Sequence, residues 1–251
     1  MKEIILGISS NKIAADEDWF RGYDLVCSGN DEIDCVIKAG AIPFILPVTS
    51  NEAVIDKYLE TIDGLIMIGG EDISPHFYNE DMHLLCTPLN HARDEYEALL
   101  IKKAIDKKIP IFLICRGLQM ANALFGGTLY QDLSIHPEVT IKHSAIKEGQ
   151  KEIHSVEIAD KNSFFYQVMN EDSVYVNSMH HQAIKDLAPI FKSVAKSRDG
   201  IVEVVEAKNS EQFIFGAQFH PEIMGSRYGG KMLELFKGFV EIITKEKNLG
   251  K

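Results

Sequence analysis

The sequence predicts an α/β protein with a mostly parallel central sheet, helices on both of its faces and additional antiparallel strands in the C-terminal half. In the first half of the chain, short β-branched or aliphatic runs alternate with helical patterns, as they do in βαβ units. In the second half, short strand-like runs follow one another, separated by turn signals. No linker of altered composition interrupts the 251 residues. We therefore expect a single domain over residues 1–251.

Four apolar runs predict the strands of the parallel part. They are Ile4–Ile8, Pro43–Leu46, Gly64–Ile68 and Ile111–Ile114. Between the last two, the segment Arg93–Lys108 carries acidic residues near its start and lysines near its end. This charge order matches the helix dipole at both ends and predicts a helix.

Five shorter runs predict the strands of the second half. They are His154–Ile158, Ser173–Asn177, Lys192–Lys196, Ile201–Ala207 and Phe213–Phe219. The pair Asp199-Gly200 between two of these runs predicts a hairpin turn. Apolar residues at helical spacing between Met232 and Ile243 predict a last helix that packs on the sheet.

Composition and charge exclude several classes of partner. The 26 basic and 37 acidic residues give a formal net charge of -11, which repels phosphate backbones and anionic lipid. We therefore expect no nucleic acid and no membrane partner. The longest apolar stretches fall far short of the roughly 20 residues that a bilayer crossing requires. The four cysteines form no C-x-x-C pair, and the N-terminus has no secretion signal, so the expected location is cytoplasmic.

Cys115 lies where an apolar strand runs directly into a helical pattern, within Ile109 to Met120. A strand–turn–helix with a cysteine at the junction is typical of a nucleophile elbow. The unpaired N–H groups and the positive dipole end of the helix stabilise a thiolate there. Gly117 fits this interpretation, because close packing of strand and helix leaves little room for a side chain. The alternative is a buried core cysteine that ends an ordinary strand.

Far downstream, His220-Pro221-Glu222 offers a base and an acid. Pro221 favours an extended conformation at His220, so residues 220 and 222 are expected to project to the same side. His220 would then take the proton of Cys115, and Glu222 would fix the imidazole tautomer. The alternative is a histidine and a glutamate on a solvated strand end.

Paired glycines, Gly69-Gly70, follow the predicted strand Gly64–Ile68. Their backbone N–H groups, together with the N–H of Arg116, are candidates to face a developing oxyanion. The alternative is a plain tight turn. No P-loop and no G-x-G-x-x-G motif occurs, so the sequence predicts no phosphate or dinucleotide site.

No metal and no organic cofactor is predicted. The segment Ser74–Ala92 contains His76, His83 and His91, which are seven and eight residues apart. Zinc ligands usually have tighter spacing, so these histidines do not predict a metal site.

Taken together, these residues resemble the class I glutamine amidotransferase-like superfamily of flavodoxin-like hydrolases, in particular its γ-glutamyl hydrolase branch. The resemblance covers nearly the whole chain and implies a flavodoxin-like three-layer sandwich. Seven motifs carry it in order: Gly69-Gly70-Glu71-Asp72, Arg93-Asp94 with Glu97, Ile114 to Gln119, Gly126 to Leu133, Val176 to Gln182, Asp199-Gly200, and Gln218 to Glu222.

By motif, the resemblance implies Cys115 as nucleophile, His220 as base and Glu222 as the group that orients the base. It implies backbone donors at Gly70 and Arg116 for the oxyanion hole. The side chains implied to lie along the glutamyl group are Gln119, Ser178, His180 and His181.

Three features of the resemblance leave questions for the structure. Leu113 stands two residues before the nucleophile, where the pattern has a small residue, so we expect a looser or differently tilted strand–helix contact. Arg93-Asp94 is open to two roles, helix capping or substrate contact. The segment Ser134 to Glu138 and its spacing to His143 and His154 match less tightly, which leaves the mouth of the pocket and hence the leaving group open.

The activity implied by the resemblance is hydrolysis of a γ-glutamyl amide or isopeptide bond through a γ-glutamyl thioester. The substrate would be a small molecule similar to γ-glutamyl-γ-aminobutyrate, as in polyamine catabolism, and no cofactor would be needed. Two alternatives stay open: a glutaminase subunit that supplies ammonia to a separate synthase, and a non-catalytic protein that binds glutamyl compounds. Association into a homodimer also stays open.

Overall fold

A computed structural model describes residues 3–15, 21–145, 151–209 and 211–249. Its strands are β1 (Ile5–Ser9), β2 (Asn11–Ala14), β3 (Asp24–Cys27), β4 (Ile42–Leu46), β5 (Gly64–Met67), β6 (Ile111–Ile114), β7 (Leu129–Tyr130), β8 (His154–Ile158), β9 (Ser173–Val176), β10 (Ala183–Ile184), β11 (Phe191–Ser197), β12 (Val202–Ala207) and β13 (Ile214–Ala217). Its α-helices are α1 (Asn30–Lys38), α2 (Glu52–Thr61), α3 (His91–Asp106), α4 (Arg116–Leu124), α5 (Phe164–Met169), α6 (Pro221–Tyr228) and α7 (Gly230–Asn248).

A nine-stranded sheet in the order β4-β1-β5-β6-β13-β12-β11-β8-β9 forms the centre of the molecule. The strands from β4 to β13 pair in parallel. From β13 through β12, β11 and β8 to β9, every pairing is antiparallel. The predicted fold class is confirmed, and the antiparallel strands of the C-terminal half extend the same sheet.

Helices cover both faces of the sheet, as the alternation of side chains along the strands requires. Ile66 and Phe112 point to one face, where they pack with residues of α1 and α7. Their neighbours Leu65 and Ile111 point to the other face, where they pack with residues of α2, α3 and α4. The central strands are buried on both faces, and therefore read as continuous apolar runs rather than alternating ones.

Most predicted elements agree with the structure to within two residues. The predicted hairpin turn at Asp199-Gly200 joins the antiparallel strands β11 and β12, and Gly200 has φ +91°, which favours glycine. The helix predicted from Arg93 begins two residues earlier, because the Asn90 side chain accepts a hydrogen bond from the Arg93 N–H at 3.2 Å and caps it. The hairpin of β2 and β3 was not predicted.

No helix in the described ranges is long and apolar enough to cross a membrane. All four cysteines are free thiols. The cytoplasmic location and the single domain over residues 1–251 stay predictions.

Candidate active site

Cys115 stands between the end of β6 and the start of α4, at the carboxyl end of a central parallel strand. Its backbone has φ +46° and ψ -100°, outside the conformations that L-residues ordinarily adopt. Its N–H donates to the Ala217 carbonyl at 2.7 Å, which continues the sheet to the elbow itself. The predicted strand–turn–helix is present. Strain of this kind, of order 1–3 kcal/mol, persists where the surrounding structure imposes it.

Close packing beneath the elbow follows from two glycines. A Cβ at Gly117 would lie 2.6 Å from the Cβ of Met67, so α4 lies directly on β5, as predicted. The looser contact expected from Leu113 is not observed. Leu113 pairs with Gly216 on the neighbouring strand, and the missing side chain at Gly216 leaves room for Leu118.

The His220 imidazole lies beside Cys115 and is held from several sides. Its Nδ1 is 2.7 Å from Oε1 of Glu222. Asn177 binds its backbone twice, accepting from the His220 N–H at 2.8 Å and donating to the His220 carbonyl at 2.9 Å. Gly69 contacts the ring, since a Cβ there would lie 2.7 Å from the imidazole Cε1.

The local backbone at Glu222 differs from the extended arrangement that the sequence predicted. Pro221 is the first residue of α6, and Glu222 lies in the first turn of that helix. Proline is favoured at the first position of a helix because an N–H there has no partner within the helix and because the φ of proline is already helical. The Glu222 carboxylate therefore reaches His220 from a helix rather than from a strand end.

Opposing effects act on the pKa of His220. Burial lowers the pKa, but the Glu222 carboxylate and the charge and hydrogen bond of Cys115 outweigh burial and hold it well above the usual value. A protonated imidazole next to the sulfur is the partner that a thiolate requires. The raised pKa of His220 thus favours a protonated imidazole beside the Cys115 sulfur.

Three further side chains lie near the pair. Gln119 and Gln218 belong to motifs that carry the resemblance, whereas Glu32 had no sequence signal. The Gln218 amide nitrogen donates to the Cys115 sulfur at 3.4 Å. Gln119 donates to the Gln218 amide oxygen at 3.2 Å and to the Gln182 carbonyl at 2.9 Å. Glu32, on α1, is buried, and burial together with the Glu222 charge raises its pKa to about 7.

The two proposed oxyanion donors come from the start of α4 and from the loop that follows β5. Arg116 is the first residue of α4, so its N–H is one of those that have no partner within the helix. At Gly70 a Cβ would overlap the Arg93 guanidinium, so a side chain there would displace the loop. Their role as oxyanion donors stays a prediction.

Comparison with known proteins shows the family of the chain. The family model described as Peptidase C26 matches residues 4–222 and thus includes every element of the site up to Glu222. The chain belongs to the Peptidase C26 family. It is similar to protein NtpR of Enterococcus hirae, with 39% identity over 88% of this chain and 92% of that protein. It is also similar to γ-glutamyl-γ-aminobutyrate hydrolase PuuD of Escherichia coli K12, with 30% identity over 83% of each chain.

A solved structure supports the fold of this Peptidase C26 protein. A glutamine amidotransferase from Thermotoga maritima superposes with a TM-score of 0.62 and 16% identity, over 98% of this chain and 100% of the other. The resemblance to the glutamine amidotransferase-like superfamily is confirmed. The family and the relatives support a hydrolase.

A buried ion network supports the loop and the elbow of this Peptidase C26 protein. Arg93 donates to Glu97 at 2.7 Å, to Glu71 at 2.6 Å and to the Gly69 carbonyl at 2.7 Å. The Arg116 side chain donates to Glu97, to Asp94 at 2.5 Å and to the Glu71 carbonyl at 3.0 Å. Asn90, rather than Arg93 or Asp94, caps the helix, and the side chains of Arg93 and Asp94 are fully buried in the network.

Removal of the central carboxylate should destabilise the fold. Glu97 bridges Arg93 and Arg116, and all three side chains are fully buried. We expect Glu97→Gln to lower the free energy of unfolding by about 2–4 kcal/mol, because both buried guanidinium groups lose one charged partner. Arg93 then keeps Glu71, and Arg116 keeps Asp94. Denaturant unfolding of wild type and variant measures this difference in free energy. Glu95→Gln, on the exposed side of the same helix, is the matched control and should change stability by less than about 0.5 kcal/mol; equal effects would contradict the network.

The stabilising contribution of the Glu71 carboxylate should be lost in acid. Burial would raise its pKa, but hydrogen bonds from its own backbone and from Asn11, together with the charge of Arg93, lower it to about 2. A carboxyl whose pKa is lowered on folding stabilises the folded state above its ordinary pKa near 4.5, and this stabilisation is lost as the pH falls toward about 2.

The measurement is the difference in unfolding free energy between wild type and Glu71→Gln as a function of pH. The side chain is 28% exposed, so after discounting for solvent screening we expect the difference to shrink by about 1–2 kcal/mol between pH 5 and pH 2. A difference that does not change over this range would show that the carboxyl is not stabilised by folding.

The segment from Ser178 to His181 is tied to its surroundings through side chains that the resemblance implied for substrate binding. Ser178 donates to the His143 carbonyl at 2.7 Å. His181 lies 2.7 Å from Asp72 and 3.0 Å from Asp132, and these carboxylates outweigh burial and raise its pKa to about 9. Both ring nitrogens of His181 are therefore already bound to carboxylates.

His180 is buried, with Nδ1 2.9 Å from the Gln182 carbonyl. The amide nitrogen of Gln119 is likewise used within the protein, as described above. Substrate contact by Gln119, Ser178, His180 and His181 stays a prediction, and the contacts present support a positioning role for all four.

Proposed function

We propose that the protein hydrolyses γ-glutamyl amide or isopeptide bonds of small molecules through a γ-glutamyl thioester on Cys115. The observation that carries the proposal is the strained Cys115 at a helix N-terminus, with the His220–Glu222 pair beside it. A nucleophile, a base and a group that orients the base are the parts that acyl transfer requires.

In the first half of the reaction, the Cys115 thiolate attacks the γ-carbonyl carbon and forms a tetrahedral oxyanion. The N–H groups of Gly70 and Arg116 are the proposed donors to that oxygen. His220, protonated beside Cys115, transfers its proton to the nitrogen of the leaving amine as the C–N bond breaks. The amine departs, and the γ-glutamyl group stays on sulfur as a thioester.

In the second half, water replaces the amine. His220 takes a proton from the water, whose oxygen attacks the thioester carbonyl, and the C–S bond breaks to release glutamate and the Cys115 thiolate. Glu222 keeps the Nδ1 proton of His220 in place through both halves, so that Nε2 exchanges the protons. No step draws on a metal or an organic cofactor.

The choice of γ-glutamyl substrates rests on the relatives. The similar protein of Escherichia coli is named as a γ-glutamyl-γ-aminobutyrate hydrolase, and the 30% identity spans 83% of each chain. That relationship supports a compound of the same class, and a role in polyamine catabolism stays a further part of the proposal. The second candidate is a glutaminase subunit, which the fold resemblance to a glutamine amidotransferase favours.

A substrate panel separates the candidates. We expect amine release from γ-glutamyl amides, including γ-glutamyl-γ-aminobutyrate, and none from matched α-glutamyl amides. Activity restricted to free glutamine and increased by a partner synthase would instead support the glutaminase subunit. Absence of release from every compound, with binding by calorimetry, would support a binding protein.

A further inference from the structure

Three buried histidines and one buried glutamate converge on a single point outside the proposed catalytic site. His143 Nδ1, His154 Nε2 and His180 Nε2 lie 3.3, 3.5 and 3.6 Å from Oε1 of Glu203. The candidate ligand atoms all lie within 4.8 Å of one another. Among the described residues, none of these inward-facing atoms has a hydrogen-bond partner. We propose that His143, His154, His180 and Glu203 bind a divalent transition-metal ion, with Zn²⁺ as the expected occupant.

In each ring, one nitrogen faces Glu203 and the other faces away from it. The contact of the nitrogen that faces away indicates whether the nitrogen that faces Glu203 is free to coordinate. Nδ1 of His180 faces the Gln182 carbonyl at 2.9 Å, and a carbonyl only accepts, so that nitrogen carries the hydrogen. Nδ1 of His154 faces the Ser155 carbonyl at 3.4 Å in the same sense. The remaining nitrogen of each neutral ring then presents a lone pair to the centre. Metal-binding histidines are characteristically oriented in this way.

His143 is oriented by a carboxylate. Its Nε2 is 3.3 Å from both oxygens of Asp199, which also accept from Ser197 at 2.6 Å and from the N–H groups of Thr140 and Ile141. Because Asp199 accepts from all of these donors, it also acts as the acceptor in its contact with His143. Nε2 of His143 therefore carries the hydrogen. This carboxylate–histidine arrangement is the one that orients imidazole ligands of zinc.

Hydrogen bonds among the four side chains account poorly for their arrangement. The three nitrogen–oxygen distances exceed the 2.7–2.9 Å typical of a charged N–H···O hydrogen bond. One carboxylate oxygen cannot accept well from three rings at once, so at least one buried nitrogen would stay unpaired. By contrast, tetrahedral zinc with bonds of about 2.0–2.1 Å separates neighbouring ligands by about 3.3 Å. The observed distances from Glu203 are close to that separation.

The donor set also indicates the class of ion and its role. Imidazole and carboxylate ligands suit zinc and related transition metals, whereas calcium and magnesium prefer oxygen. Four protein ligands that are all buried are typical of a structural site, which has no open position for substrate. The four residues are 11, 26 and 23 positions apart in the sequence, so no local motif signals them.

The location explains what such an ion would stabilise. His180 is three residues after Asn177, which binds the His220 backbone on both sides. The Glu203 carbonyl accepts from the Gln218 N–H at 2.8 Å, and the Gln218 side chain contacts the Cys115 sulfur. An ion at the cluster would therefore link the segment that holds the proposed base to the strand beside the proposed nucleophile.

Metal analysis of the tag-free protein tests this site without reference to activity. We expect about one equivalent of zinc per chain by mass spectrometry. Extraction with dipicolinate and refilling with Co²⁺ should give the visible absorption of tetrahedral Co²⁺. Removal of the metal should lower the Tm by about 5 °C or more, and Zn²⁺ should restore it.

Variants assign the ligands. Glu203→Gln should weaken metal binding by about 10-fold or more, because a charged ligand becomes a neutral amide. Glu206→Gln makes the same change on the same strand, away from the histidines, and should retain wild-type metal content. A zinc-supplemented preparation with only trace metal, together with no Co²⁺ spectrum and no effect of Zn²⁺ on the Tm, would overturn the proposal. The Co²⁺ spectrum of the wild-type protein tests the proposal even if Glu203→Gln fails to fold.

Discussion

Cys115→Ala should abolish hydrolysis of γ-glutamyl amides, with kcat/KM falling by about 10⁴-fold or more. The substitution removes the sulfur that forms the thioester and leaves the elbow intact, because the strained backbone at residue 115 is imposed by β6 and α4 rather than by the side chain. Cys115→Ser should be nearly as inactive, since a hydroxyl is a far weaker nucleophile than a thiolate in this setting. Amine release from a γ-glutamyl amide, followed by mass spectrometry, measures the loss.

Cys27→Ala provides the matched control. Cys27 is a half-buried thiol on β3, remote from the elbow in the sequence, and its substitution should leave kcat/KM unchanged. Circular dichroism and denaturant unfolding should show that Cys115→Ala folds as wild type does. Activity of Cys115→Ala at more than about one hundredth of the wild-type rate would remove Cys115 from the nucleophile role.

His220→Ala should give the second largest loss, a fall in kcat/KM of about 10³-fold. It should also slow alkylation of Cys115 by iodoacetamide near pH 7 by about 10-fold or more, because the thiolate loses its cationic partner. The fold should survive, because Asn177 binds the backbone N–H and carbonyl of residue 220 rather than its ring.

Alkylation of the other cysteines sets the background of the iodoacetamide assay. Burial raises the pKa of both Cys35 and Cys86, so these thiols should react slowly in wild type and variant alike. His91→Ala, an exposed histidine at the start of α3, is the matched control and should leave the alkylation rate of Cys115 unchanged. Equal alkylation kinetics in wild type and His220→Ala would remove His220 from the base role.

The sequence predicts the fold class and the elbow well, because both depend on local patterns. The run Ile111–Ile114 is buried on both faces, so it is apolar throughout, and the following Cys115, Arg116 and Gly117 mark the turn into α4. The hairpin turn at Asp199-Gly200 is likewise encoded by two adjacent residues. Such signals need no knowledge of distant contacts.

The parts that were missed depend on residues that meet only in three dimensions. Glu97 binds two arginines. Its i, i+4 spacing from Arg93 can be recognised in a helix, but its contact with Arg116, 19 residues away, has no sequence signal. The start of α6 at Pro221 could have been predicted, because proline is favoured at the first position of a helix. The cluster around Glu203 joins four separate segments and leaves no local pattern to detect.

The most direct test of the account is to trap the acyl-enzyme. Wild-type protein is mixed with a γ-glutamyl amide, quenched in acid within the first turnover and digested for mass spectrometry. We predict a γ-glutamyl mass on the peptide that contains Cys115, released by hydroxylamine as a thioester should be, and absent from Cys115→Ala. Rapid turnover with no adduct on Cys115 at any quench time, or an adduct on another residue, would contradict the mechanism.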